Sequence, residues 1–182
     1  MLQFTPLPKL FKCLALLLLA IAATGCSVMD KTRTPVQLDA GAKWVILPIA
    51  NHTETPPAGL RAEVILESLL RQRGLQTLVR PPALQAGDLM GDLPDRKVQQ
   101  DAQRWAAEQG IRYAVTGAVD EWRYKVGVDG EPAVGLVLQV IDLGSGNVVW
   151  TATGARSGWS REALSAVGQK LMRDLLGDLS LR

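Results

Sequence analysis

The residues with the most specific chemistry are Ala23-Thr24-Gly25-Cys26, which close an apolar run from Leu14 to Ala23 preceded by Lys9 and Lys12. A basic start, a short apolar middle and small residues before the cut describe a secretory signal peptide, and a cysteine directly after them makes it a lipoprotein signal. The Cys26 thiol is then the group that carries the lipid. A spanning helix needs ~20 apolar residues, and this run breaks at Thr24-Gly25 after about half that length. Residues 1–25 therefore read as signal peptide, and Cys13 is discarded with them. Cys26 is left as the one cysteine of the mature chain, so no disulfide forms within it although the compartment would permit one. In bacterial lipoproteins an aspartate after the modified cysteine commonly marks retention at the inner membrane. Ser27 stands there instead, which predicts an outer-membrane protein anchored on the periplasmic face. Several acyl chains on one terminus, palmitate among them, hold stably where a single chain would be marginal.

Other chemistry-bearing residues are sparse. Asp129 and Glu131 sit between Gly127 and Pro132, beside Gly130. Asp-Gly is what a tight turn requires, so turn formation alone accounts for them. Trp159 lies between Gly158 and Ser160, outside both flanking periods. It packs as a staple on the following helix or lies at the lipid headgroup level, where an indole is favoured, with Arg156 and Arg161 near anionic headgroups. Trp122 and Tyr124, two apart on one strand and beside Asp120, could stack a sugar, but such aromatics more often pack the core or a subunit contact. Asp120 and Glu121, adjacent on that strand, should point to opposite faces and so make no catalytic pair.

No catalytic residue is assigned, and a hydrolase is disfavoured. His52 is the single histidine and the mature chain has no free thiol, which leaves histidine or cysteine catalysis poorly supplied. No zinc spacing, nucleophile elbow or phosphate loop occurs, and Gly144-Ser-Gly146 is followed by a strand rather than a helix. Neither metal nor cofactor is expected. The 20 basic residues against 18 acidic include two lysines of the signal, so the mature chain is formally neutral. Neutrality argues against nucleic-acid binding, which needs a concentrated basic face. Any charged ligand must be met by local patches.

Stepping along the chain, residues 26–42 read as a lipidated N-terminus and polar tether, and 43–182 as one domain. Lys43–Ile49 is a continuous apolar run, a strand buried on both faces that should end at Pro48. In 58–73, Ala62, Ile65, Leu66, Leu69 and Leu70 recur at three- and four-residue steps, an amphipathic helix closed by Gly74. A short strand at 75–79 precedes a loop over 83–93. A second helix runs from about Pro94 to Gln109, with Val98, Ala102, Trp105 and Ala106 on its buried stripe. The runs 113–125, 133–143 and 148–156, joined by Gly-rich turns, form an antiparallel meander. Ser160 should cap a last helix with Leu164, Val167, Leu171 and Leu175 buried. Trp44, Trp105 and Trp150 fall on core stripes. The order βαβαβββα predicts an α/β three-layer sandwich-like domain, a mixed sheet of about five strands with helices packed on it.

Within the meander, Tyr113-Ala-Val-Thr-Gly117, Glu121-Trp122-x-Tyr124-Lys125, Asp129-Gly-Glu-Pro-Ala-Val-Gly135, Gly144-Ser-Gly-x-Val-x-Trp150 and Gly154-Ala-Arg-x-Gly-Trp-Ser-Arg-Glu162 together resemble the PelC family, outer-membrane lipoproteins of the Pel exopolysaccharide export apparatus. The likeness spans essentially the mature domain and agrees with the lipoprotein signal. It implies a non-enzymatic protein forming a dodecameric ring against the inner leaflet of the outer membrane and working with the β-barrel porin PelB. Its cargo would be a partly de-acetylated, hence cationic, amino-sugar polymer of the biofilm matrix. In such a ring one acidic tip per subunit, Asp129 with Glu131, becomes a circle of carboxylates that concentrates an amine-bearing chain. The resemblance also tips Trp159, Arg156 and Arg161 toward the membrane.

Two other functions compete. A regulator that reaches through the periplasm to activate a cell-wall synthesis enzyme would need a long disordered arm, and 29–42 is short. A pore spanning the membrane needs strands of about nine to eleven residues with lipid-facing alternation. The run 133–143 is long enough, yet Glu121, Arg123 and Lys125 share one face of its partner.

Overall fold

The computed structural model describes residues 27–32, 36–82, 95–127 and 130–182. Outside them lie Cys26 with the proposed signal, the loop expected over 83–93, Pro94 and Asp129.

A six-stranded mixed sheet forms the middle layer, in the order β1 (Ser27–Lys31), β7 (Asn147–Ser157), β6 (Pro132–Asp142), β5 (Tyr113–Tyr124), β3 (Trp44–Asn51), β4 (Leu78–Val79). β3 runs parallel to both its neighbours, and the other pairs are antiparallel. A separate two-residue parallel pair joins β2 (Gln37–Leu38) to β8 (Ser180–Leu181). Helices α1 (Ala58–Gln72) and α3 (Leu164–Leu176) pack on one side of the sheet, and α2 (Asp95–Glu108) on the other. The α/β sandwich is thus the architecture found, with six strands rather than about five in the main sheet.

The period of two along β3 builds both cores at once. Trp44 and Ile46 enter the large cluster beneath α1 and α3, while Val45 and Leu47 meet Ala102 and Ala106 of α2. Trp44 and Tyr113 lie with ring centroids 4.7 Å apart, and Trp44 Nε1 donates to the Asp39 carbonyl at 3.0 Å. Trp150 is likewise buried, whereas Trp105 is only half-buried against the smaller cluster. Gly74 and Gly110, at φ of 98° and 65°, follow the ends of α1 and α2, in the left-handed conformation that glycine adopts without steric cost.

Three local expectations are corrected. Residues 29–31 are not tether: Ser27–Lys31 is an edge strand, paired from Ser27↔Arg156 to Lys31↔Ala152. Its outward side chains conceal it, because the pairing is made by backbone alone. Pro48 does not end β3, which continues to Asn51 through a register shift between Ile46 and Ile49. Among the described residues, this strand has a neighbour on one side only beyond Val45, so a residue without N–H is tolerated there. Ser160 does not cap α3, which starts at Leu164 after Ala163 in extended conformation. Arg161, at φ 70°, turns the chain between them.

Glu63 closes the open side of β3. It is buried, its Oε1 accepts the Ile49 N–H at 3.0 Å, and its Oε2 meets Arg80 Nη1 at 3.0 Å. Burial raises its pKa, against the opposing pull of the Ile49 N–H and Arg80. Since the fold then binds this proton more tightly than the unfolded chain, the carboxyl's contribution is fully present below its unfolded pKa. It is lost as pH rises through the folded one. Glu63→Ala leaves the Ile49 N–H without its acceptor, while Arg80 keeps Glu67 Oε2 at 2.7 Å, and should cost about 1–3 kcal/mol in urea unfolding. An unchanged midpoint would refute the role.

Candidate functional site

One end of the sheet gathers the residues singled out in the sequence. The β5–β6 ladder runs to Tyr124↔Pro132 and is closed by Lys125 N–H donating to the Glu131 carbonyl at 2.7 Å. Glu131 is exposed at this tip, beside Gly130 at φ 53°. β7 ends alongside: Lys125 Nζ donates to Ser157 Oγ at 2.7 Å, and Gly158 N–H to the Pro132 carbonyl at 2.8 Å. Trp159 follows at once and is 60% exposed, so it does not bury itself as a staple in the single chain. Tyr124 is half-exposed, its hydroxyl bonded to the Glu162 carbonyl and the Leu164 N–H. Val126 is fully exposed.

The loop carrying Trp159 is held in shape by Glu162. Its Oε2 accepts the Trp159 N–H at 3.3 Å and its Oε1 is ion-paired with Lys170. The Lys170 hydrogen bond is the main reason the Glu162 carboxyl titrates below its usual range. The two arginines differ. Arg156 faces α3 and pairs with Asp174 at 2.8 Å. Arg161 is exposed and makes no ion pair among the described residues.

The strand register brings the start of β1 to the same end. Ser27 pairs with Arg156, three residues before Trp159. Consecutive Cα atoms are about 3.8 Å apart, so the lipid expected on Cys26 would be attached within a residue of this rim.

A second feature lies on the sheet side that α2 leaves open. A groove of about 920 Å³ is lined by Asp30, His52, Glu54, Asp120, Glu121 and Arg123 over a floor that includes Gly135 and Ala155. His52 Nδ1 meets Asp120 Oδ1 at 2.8 Å, and Arg123 Nε donates to Glu121 Oε1 at 2.9 Å. Asp30 and Glu54 make no ion pair among the described residues. The wall bearing His52 is tied to β5 by the His52 N–H on the Val119 carbonyl and the Thr55 hydroxyl on the Trp122 carbonyl.

Sequence reasoning missed this groove and misjudged Asp120 and Glu121, which both line it. A bulge between Val119 and Glu121 breaks the alternation that would have separated them. Nothing short-range in the sequence signals it, because the groove draws on five separate segments. Trp122, weighed as a sugar platform, is fully buried in the core under α3. Among the described residues no cluster of His, Cys, Asp and Glu suits a metal ion, and no helix is long and apolar enough to cross a membrane.

No protein-family model matches the chain, and no curated protein does. Solved structures do. PelC from Paraburkholderia phytofirmans, described as a dodecamer, is 41% identical over 86% of this chain and 99% of its own, with a TM-score of 0.72. A single-substitution variant of that protein, also a dodecamer, gives 41% identity and a TM-score of 0.73 in a second crystal form. The lipoprotein GNA1162 of Neisseria meningitidis, 14% identical over 76% of this chain and 97% of its own with a TM-score of 0.54, shares the fold alone. Identity of 41% sustained over nearly the whole length of both PelC structures assigns this chain to the PelC family.

Proposed function

We propose that the chain is a non-enzymatic, ring-forming lipoprotein at the periplasmic face of the outer membrane, which gathers a cationic exopolysaccharide and passes it to an outer-membrane β-barrel porin. Cys26 carries the lipid. Trp159 and Arg161 meet the headgroups, with Arg156 supporting the loop from behind through Asp174. Asp129 and Glu131, one pair per copy, form the acidic mouth.

The observation that carries this reading is convergence at one end of the sheet. The start of β1 next to the lipidation residue, the exposed Trp159 and the acidic hairpin tip all lie there. An anchor with no slack presses that end toward the bilayer, and an exposed indole is favoured at headgroup depth. Twelve copies, the number described for the 41% identical relative, turn a weak local charge into a continuous acidic circle. Attraction screened over a Debye length of about 8 Å guides a sliding polymer without fixing it. The test is Asp129→Asn with Glu131→Gln. Secreted polymer should fall while ring mass and expression stay as in wild type; undiminished secretion from an intact ring overturns the acidic-mouth reading.

A further inference from the structure

In the single chain, two surfaces on opposite sides of the slab lack a partner among the described residues. On the helical side, α1 turns Leu60 and Val64 outward, each 63% exposed, with Arg61 beside them. Arg61 makes no ion pair among the described residues. On the other side, among the described residues, α2 and its cluster reach β3, the start of β5 and the end of β6 and leave the remaining strands uncovered. There the register aligns Val28, Ala155, Gly135 and Glu121 as one cross-strand row, with Asp30 beside it across from Thr153. This row crosses the groove described above.

We propose that the Leu60-Arg61-Val64 ridge of one copy seats in this groove of the next, and that repetition of this head-to-tail contact closes the ring. The inference rests on the ring assembly proposed above and names its interface.

Symmetry supports the choice of surfaces. A closed ring of more than two copies needs two different, complementary patches. With twelve copies each is turned by about 30° from the last, so the patches must lie on nearly opposite sides of the subunit. The α1 ridge and the groove satisfy this, since α1 packs on the Trp44 face of β3 and the groove opens on the face that Val45 and Leu47 share with α2. Continuing the sheet edge to edge would satisfy the angle too, but that route is closed. Beyond Val45 the free edge of β3 offers Pro48, without an N–H, and Ile49, whose N–H is already held by Glu63.

The chemistry is complementary as well. Gly135 and Ala155 leave a floor low enough for aliphatic side chains, and Asp30 and Glu54 bring two unpaired carboxylates to its walls. Arg61, between Leu60 and Val64, supplies the cation that a closed contact needs, and a guanidinium on carboxylates is the strong form of such a bond. The patches lie on the two faces of the slab, and the groove reaches to within one residue of the Ser27↔Arg156 pair. The same rotation therefore carries every Trp159 loop and every Glu131 tip to one rim.

The test uses the mature lipoprotein in detergent, its mass read by native mass spectrometry. Leu60→Asp with Val64→Asp spoils the ridge and Ala155→Arg spoils the groove; all three positions are exposed. Each variant alone should drop from the ring to a single copy. Mixed, they should double in mass and stop there, since one intact ridge meets one intact groove and nothing remains to extend the pair. That pairing also shows both variants folded. If both variants keep the wild-type ring, or if their mixture stays single, this interface is refuted while the ring stands. Single wild-type chains would instead refute the ring reading itself.

Discussion

Trp122→Ala should lower the unfolding free energy by about 3–5 kcal/mol, the cost typical of truncating a fully buried tryptophan. Against a total of about 5–15 kcal/mol for a domain of this kind, that is about a fifth or more of the stability. The reason is position: Trp122 sits at the bulged end of β5 with its six-membered ring under α3. A Cβ on Gly168 of that helix would come within 2.6 Å of the ring, so the helix was already seated as closely as a glycine allows. Removing the ring leaves a hole that α3 cannot close by shifting, because Val167, Leu171 and Leu175 hold it elsewhere on the sheet. Trp122→Phe separates packing from polarity. The indole N–H is buried with no hydrogen-bond partner among the described residues, so its loss gives up no bond, and phenylalanine still fills most of the space. The alanine variant should therefore lie well below the phenylalanine variant in urea midpoint at unchanged m-value. Equal midpoints would mean that Trp122 is not a packing residue.

What the sequence made legible follows from how each element is stabilised. The stripes on α1 and α3 could be read because burial there repeats every three or four residues: Ala62, Leu66, Leu69 and Leu70 on one, Val167, Leu171 and Leu175 on the other. β3 could be read because both its faces are buried. β1 could not, since Val28 and Met29 stay exposed and the strand is held by main-chain bonds to β7, which leave no imprint on side-chain pattern. The bulge at Asp120 was hidden for the same reason, and with it the groove. The turn before α3 carries capping chemistry one turn early: Glu162 reaches back to the Trp159 N–H as a capping residue would, but at the loop rather than the helix. For the candidate site, the expected lipoprotein signal ending at Cys26 and Trp159 stood out through residue type, whereas their coming together depends on the Ser27↔Arg156 register, a long-range fact.

That register yields the second large effect. A flexible spacer of about twelve Gly and Ser residues placed between Cys26 and Ser27, starting with serine so that the position after the lipidated cysteine is unchanged, should leave lipid attachment and outer-membrane retention intact. Polymer export should nonetheless fall roughly tenfold, a loss of about 1.4 kcal/mol in holding each copy in its working pose. Under the proposed lipidation of Cys26, one peptide bond separates the anchor from a strand locked to β7, so the lipid would fix which end of the domain faces the bilayer. A spacer of that length spans about 20 Å root-mean-square and removes this constraint while keeping the anchor. The same spacer inserted after Pro35, downstream of β1, gives the control: β1 remains paired with β7, the Trp159 end stays pinned, and export should match wild type. Trp159→Ala should weaken export in the native chain and add little in the chain spaced after Cys26, because both changes remove one thing, the seating of that rim on lipid. Full export from the chain spaced after Cys26, or equal losses from the two spacer positions, would show that the anchor holds the protein at the membrane without orienting it.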